Sequence, residues 1–442
     1  EIDPSLRAGG RGERIGSWGN LLIALALALS SCSPEMYHTR ADRETYTALF
    51  DKTPDVDNVE LDDVVLTETP VMDLSKLKNS EVGAEFLGDM ASYEKNSKVL
   101  ALDDALGKSV TNGREYLTAK ERVFLSALDL TLARYRLAPI FSAGGAGTRT
   151  TDSRTAKIET GMSDLVSTNT FSRHQGAGFN MLYKTGARVS ADFTQDFLRI
   201  MTGNRSLNES DLAVSLVQPL LQGGGTTVTL EALTQEERNV LYDLRGFADF
   251  RRDFIVAVVS DYYGVLRSRD RVRNNYVAFQ GFVKNVEREE AFAGEGKRTQ
   301  NQLGRLRQAK LSSESRWIDA IRIYQTQLDQ FKLKIGIPVA SRLILDDREL
   351  KRLTIEDPPL TREQAVEIAL VTRPDLATAA DQVDDAERQI KVAQNGLLPG
   401  LDLALDYQPV SDPGDTTPGI NWDRRRWSSS VDLDLPLDRK AE

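Results

Sequence analysis

The spacing of apolar positions changes character along the chain. Between about residues 234 and 293 they recur by threes and fours, at Leu241, Leu244, Ala248, Arg251, Ile255, Val258, Tyr262, Val265, Arg269, Val272, Tyr276, Phe279, Val283 and Val286, and only the two arginines break the series. A stripe held in step for this long predicts a coiled-coil-like helix rather than the short helix of a globular core. At 1.5 Å per residue it would run roughly 85 Å. Ala293-Gly294-Glu295-Gly296 interrupts it. The helical period then resumes through Leu303, Leu306, Trp317, Ala320, Tyr324 and Phe331, beside a second stripe at Leu311, Ile318, Ile321, Leu328 and Ile335, and stops at Gly336-Ile337-Pro338. The pattern predicts an antiparallel helical hairpin whose second helix has two packing neighbours. A plain coiled-coil spacer and a stave of a helical cylinder both satisfy it.

Elsewhere the period is two. Leu401, Leu403, Leu405 and Tyr407 alternate with Asp402, Ala404 and Asp406. Val431, Leu433, Leu435 and Leu437 alternate with Ser430, Asp432, Asp434 and Pro436. Val189, Ala191, Phe193 and Phe197 alternate with Arg188, Ser190, Asp192, Thr194 and Asp196. Such alternation means half-buried strands, here with carboxylates on one face. In a soluble sandwich the polar face points outward; in a membrane barrel it lines the lumen and the apolar face meets lipid. The pattern does not choose, although Trp422 and Trp427 near a strand start suit the aromatic girdle of a barrel. Gly144-Gly145-Ala146-Gly147 reads as a loop within this region.

The chain also repeats itself. Leu100–Ala105 align with Leu360–Ala365 at an offset of 260, and the register holds without a gap from Glu115 and Asp375 through Ala119 and Ala379, Val123 and Val383, and Leu137 and Leu397 to Pro139 and Pro399. Each copy predicts a helix ending at a proline, then strands closed by a second proline, Pro219 or Pro436. Two long strands per copy make about four per chain, fewer than the eight a one-chain barrel needs. Closure therefore requires several copies in cyclic symmetry. The expected organisation is a signal peptide over 1–31, an acidic N-terminal tether over 32–98, a first repeat over 99–338, an inter-repeat segment over 339–359 and an incomplete second repeat over 360–442.

The N-terminus carries an address. Arg7, Arg11 and Arg14 precede the apolar run Leu21–Leu29, about 14 Å of helix and too short to span a bilayer, as in a secretory signal. Leu29-Ser30-Ser31-Cys32 resembles a bacterial lipobox, in which Cys32 would be lipidated; an ordinary signal peptide with a chance cysteine is the alternative. Ser33 follows, where an aspartate would suggest retention at the inner membrane. Asp51 to Glu81, with Pro54 and Pro70, reads as a solvated linker after one short helix near Tyr37–Phe50.

Composition narrows the function. The 442 residues hold 56 basic and 66 acidic side chains, for a net charge of −10, which argues against a nucleic-acid partner. One cysteine excludes a disulfide framework and Cys-rich metal sites, and two histidines, His38 and His174, leave little for His-based acid–base chemistry. Gly107-Lys108-Ser109 ends like a P-loop, but Leu102 stands where its first glycine belongs. There is no H-E-x-x-H and no nucleophile elbow. We expect no enzyme, no cofactor and no metal.

These features in this order resemble the outer membrane efflux protein family, the TolC-like outer membrane factors, of lipoprotein type. Leu216-Val217-Gln218-Pro219-Leu220-Leu221-Gln222-Gly223-Gly224-Gly225 looks like the family's segment between strand and first long helix. Asp261-Tyr262-Tyr263, Leu328–Pro338 and Gly296-Lys297-Arg298-Thr299 are also similar to family segments, the last to the G-x-x-S/T of a hairpin tip. The resemblance covers about residues 99–437. It implies an α+β fold in which long antiparallel α-helical hairpins form an α-barrel and β-strands contribute to a shared trimeric transmembrane β-barrel of twelve strands. It implies a homotrimer in outer membrane lipid, extending into the periplasm to meet a periplasmic adaptor (membrane fusion) protein and an inner-membrane transporter of an efflux or type I secretion system. Gly294, Gly296, Lys297, Arg298 and Thr299 would then form the adaptor-contacting tip, and Asp402, Asp406, Asp432 and Asp434 would face the lumen. One departure stands out: the first hairpin follows Pro219, whereas six residues follow Pro436. A second hairpin is missing, so the expectation is a C-terminally truncated chain that does not form a conducting trimer by itself. Two functions remain open: a passive export duct, or a non-transporting envelope lipoprotein whose coiled coil acts as spacer or scaffold.

Overall fold

The computed structural model describes residues 34–67, 73–80, 84–157, 163–200, 205–297, 299–352, 354, 359–412 and 419–435. The helices are α1 (Pro34–Lys52), α2 (Leu102–Asn112), α3 (Arg114–Tyr135), α4 (Glu231–Gly294), α5 (Gln300–Lys334), α6 (Arg362–Thr372) and α7 (Pro374–Gly396), with a few single turns between them. The strands are β1 (Lys98–Leu100), β2 (Ile140–Lys157), β3 (Ser163–Leu182), β4 (Arg188–Ile200), β5 (Arg205–Pro219), β6 (Leu343–Leu345), β7 (Gly400–Val410) and β8 (Asn421–Asp434). The architecture is α+β. Two compact units divide the chain: a sheet unit of Glu1–Asp51, Ala127–Arg238 and Asp384–Glu442, and a hairpin unit of Lys52–Ser126 and Asn239–Val383.

The repeat is real at the level of elements. α2 and α6 start and stop 260 residues apart, as do the starts of α3 and α7 and of β2 and β7. Each expected single helix is broken in two, and the two breaks have different causes. In the second copy Pro374 starts α7, and the residue before a proline is driven out of the helical region. In the first copy the break falls at Gly113, where an added Cβ would lie 2.2 Å from the Ser109 carbonyl oxygen and 3.2 Å from that of Lys334; only a glycine lets the chain pass so close to the end of α5.

In the sheet unit six strands pair in the order β2-β3-β4-β5-β7-β8, every neighbour antiparallel. This corrects the expected strand count: the second copy contributes two strands, but the first contributes four. It also corrects the reading of Gly144–Gly147, which lies within β2 and pairs residue for residue with Arg173–Gly176 of β3. Glycine weakens a strand but does not forbid it when a long partner supplies the ladder.

In the hairpin unit α4 carries the expected stripe. Leu244, Val258, Tyr262, Val265, Val272 and Val286 are buried, as are Leu303, Ala320, Tyr324, Leu328 and Phe331 of α5. Opposed contacts set an antiparallel register: Arg307 binds Glu290 at 2.8 Å, Trp317 stacks on Phe279 at 5.4 Å, and Phe331 meets Tyr262 edge-on at 5.9 Å. The second stripe of α5 is covered only in part: Ile335 is buried, whereas Leu311 is 64% and Ile318 56% exposed.

The stretch 53–98 is no solvated linker. Val56, Val59, Val64 and Leu87 are buried in the hairpin unit, and the two arginines that interrupt the α4 stripe hold this arm. Arg251 bonds Asp63 and the Asn58 carbonyl. Arg269 pairs with both oxygens of Glu94, at 3.0 and 2.9 Å, and also binds Asp347. Phe86 lies under the guanidinium groups of Arg269 and Arg273. Carboxylates read as solubilising are in fact the arm's anchors.

Candidate functional site

Alternation places residues i and i+2 of a strand on one face, and the register extends that face across the sheet. Asp402 lies opposite Asp432, Asp406 opposite Ser428, and Gly400 opposite Asp434, so the four predicted aspartates share one side. β5 continues it through Pro219 and Ser215, then β4 through Ser190. On that side β4 adds Asp192 and Asp196 and β5 adds Glu209 and Asp211, with Asp196 opposite Glu209. The opposing cations on this face are Arg188, Arg426 and His174. His174 Nδ1 is 2.5 Å from Asp196 Oδ1, Gln408 donates to both oxygens of Asp211 at 3.0 Å, and Ser428 donates to Asp406 at 3.3 Å. Like charges directly opposite one another destabilise a sheet, so packing does not account for Asp402 across from Asp432. Among the described residues no three carboxylates or histidines converge on one point; the charge is spread along the strands. Glu209 and Asp211 escaped the sequence reading because Ser206 to Ser215 lacks clean alternation, and only the ladder to β4 assigns their face.

The other face is apolar and, in the single chain, open. One cross-strand row reads Phe141, Phe179, Ala191, Val214, Tyr407 and Trp427, with the Phe141 and Phe179 rings 5.4 Å apart. Phe141 is 76%, Trp427 72% and Val431 64% exposed. A soluble sandwich would cover these side chains with a second layer.

The hairpin tip is built by capping. Gly296, at φ +70°, ends α4 in a Schellman arrangement: Lys297 N donates to Phe292 O at 2.9 Å and Gly296 N to Ala293 O at 3.0 Å. Gly336 repeats it after α5, with φ +74°. Thr299 and Gln302 form a capping box that starts α5. Gly294, Gly296, Lys297 and Thr299 are exposed, and Lys297 pairs with Glu295 at 2.5 Å. Arg298 and Cys32 lie outside the described residues, as does Pro436.

α7 meets the start of α4 in the sheet unit through charge. Asp385, 5% exposed, accepts from Arg388 at 2.7 Å and lies 3.2 Å from Arg238, while Arg388 also binds Glu231 at 3.1 Å. Ile390, on the opposite face of α7, is 57% exposed. In the hairpin unit a cleft of about 880 Å³ is lined by Arg114, Glu115, Asp261, Arg267, Phe331 and Lys334 among others, and Lys334 there is tied to Asp261 at 2.6 Å. Among the described residues no helix is long and apolar enough to cross a membrane.

No family model matches the chain, nor does any curated protein. Among solved structures it is similar to the outer membrane protein VceC from Vibrio cholerae, with 13% identity over 77% of this chain and 69% of that one and a TM-score of 0.46. It is similar to CusC, with 13% identity over 85% and 73% of the two chains and a TM-score of 0.48. The CmeC outer membrane channel of Campylobacter jejuni likewise shows 13% identity over 86% of this chain and 70% of its own, with a TM-score of 0.48.

Proposed function

We propose that this chain is a wall-forming subunit of a passive outer-membrane export duct of the TolC-like kind. The observation that carries the reading is the sheet: one face holds carboxylates from four strands, and the other exposes an aromatic and aliphatic surface. That division suits a strand wall with water on one side and lipid on the other. Three copies would share the barrel, and Cys32 would add a lipid anchor. The exposed tip at Gly294, Gly296, Lys297, Arg298 and Thr299 would meet a periplasmic adaptor coupled to an inner-membrane transporter. The duct itself would do no chemistry, its energy coming from that transporter.

Fractionation of cell envelopes tests this directly. The protein should partition with the outer membrane and migrate in detergent as a heat-modifiable trimer. An elongated species that becomes soluble once the lipid is removed would instead support an envelope spacer and overturn the duct.

A further inference from the structure

The first repeat carries a strand hairpin that the second lacks. β2 and β7 begin 260 residues apart, and the proline-closed end of β5 matches that of β8 in sequence. In the second copy β7 passes directly into β8; in the first, β3 and β4 intervene. This added hairpin does not protrude as a loop. It lies within the sheet, paired to β2 from Ile140↔Asn180 to Lys157↔Ser163 and to β5 from Arg188↔Val217 to Ile200↔Arg205. It also continues both faces: Asp192, Asp196 and His174 extend the carboxylate side, and Phe179, Val189 and Phe193 extend the apolar side.

Two edges remain, each paired on one side among the described residues: β2 and β8. An unbroken antiparallel meander of six strands leaves its first and last strands running in opposite directions. The β8 edge of one copy therefore meets the β2 edge of the next in the same antiparallel sense as every pair within the chain. On the polar face β2 offers small uncharged residues, Ser142, Gly144, Ala146 and Thr148, to the larger Arg426 and Asp432 of β8, so the junction sets no like charges together. In lipid, open edges would strand backbone donors and acceptors, and a closed barrel removes them.

We propose that each chain contributes six strands to the wall, with β8 of one copy pairing to β2 of its neighbour, so that three copies close an eighteen-stranded barrel in which β3–β4 is a pore-widening hairpin. The inference rests on the trimeric duct proposed above. Barrel diameter grows roughly linearly with strand number, so this wall would be about 1.5 times as wide as one of twelve strands.

Two measurements on protein extracted from outer membranes test it. In the first, cysteines are scanned along positions 141–147 of β2 against 427–433 of β8. Four strands separate these edges within one chain, so a disulfide between them joins neighbouring copies. The expected result is a covalent trimer. In the second, end-on electron-microscopy averages of the intact protein should show an eighteen-strand ring, and a variant lacking Ser163–Ile200 should shrink its diameter to about two thirds. A trimer with a twelve-strand ring, or a diameter unchanged by the deletion, places β3–β4 outside the wall and overturns this inference while leaving the duct standing. A covalent dimer overturns the eighteen-strand count. Absence of any ring overturns both readings. The crosslinks and the ring of the intact chain decide the matter even if the deletion variant does not fold.

Discussion

At the scale of the residue, the two arginines that spoil the α4 stripe explain how the chain's N-terminal arm is held. Arg269 is 8% and Glu94 2% exposed, and both oxygens of the carboxylate are engaged. Glu94→Ala leaves a buried guanidinium half-paired and should cost about 3–5 kcal/mol, measured by denaturant unfolding. Replacing both partners with apolar residues, Glu94→Leu with Arg269→Met, should restore most of that loss; a double variant as unstable as the single would show that the pair is more than a satisfied contact. Two phenols in the same unit set an alkaline limit. Burial holds the Tyr262 hydroxyl, which donates to Leu100 O at 3.0 Å, well above its ordinary 10.0. Burial, and then the charge of Glu94, does the same to Tyr324. Above about pH 10 the unfolded chain loses these protons while the folded chain keeps them. Their contribution is therefore fully present below that pH and declines as pH rises past it. Thermal melts from pH 8 to 11 should show the decline, and Tyr262→Phe with Tyr324→Phe should flatten it.

At the scale of the element, equal sequence positions in the two repeats have unequal surroundings. Tyr116, 1% exposed, packs against Phe247 and Phe254 of α4 at 5.7 and 5.6 Å, and Val123 is 1% exposed. Their counterparts 260 residues on, Leu376 and Val383, are 43% and 62% exposed in the same unit. Tyr116→Ala should cost about 3–5 kcal/mol, whereas Leu376→Ala should fall within about 1 kcal/mol of the parent. Similar losses from both would mean that a partner covers the second helix in solution. The capping glycines act at the same scale. Gly296→Ala meets no neighbouring atom but forces a side chain into the left-handed region, at about 1–2 kcal/mol; hydrogen exchange should report that cost at the tip, around Phe292 to Gln302, rather than throughout the hairpin.

At the scale of the whole molecule, the carboxylate face predicts ion preference. If it lines a lumen, Asp402, Asp406, Asp432 and Asp434, together with Asp192, Asp196, Glu209 and Asp211, would favour cations by ring electrostatics. Channels reconstituted from outer-membrane extracts should prefer cations at low salt, and Asp402→Asn with Asp432→Asn should weaken that preference. Anion preference in the parent would contradict the lumen assignment.

Much of this was legible in the residue order because it depends on local period. The 3.6-residue stripe of α4, the two-residue alternation of β4, β7 and β8, the glycine stops at Gly296 and Gly336, and the 260-residue offset all follow from neighbours a few positions apart along the backbone. What only the tertiary structure decided concerns partners far apart in sequence. The glycine-rich start of β2 is a strand because β3 supplies its ladder. Glu209 and Asp211 join the carboxylate face because of their register with β4. The acidic stretch after Asp51 packs because Arg251 and Arg269, some 175 to 190 residues later, lie where Asp63 and Glu94 can reach them. Periodicity records which side of an element is apolar; it does not record what that side, or the charged one, will meet.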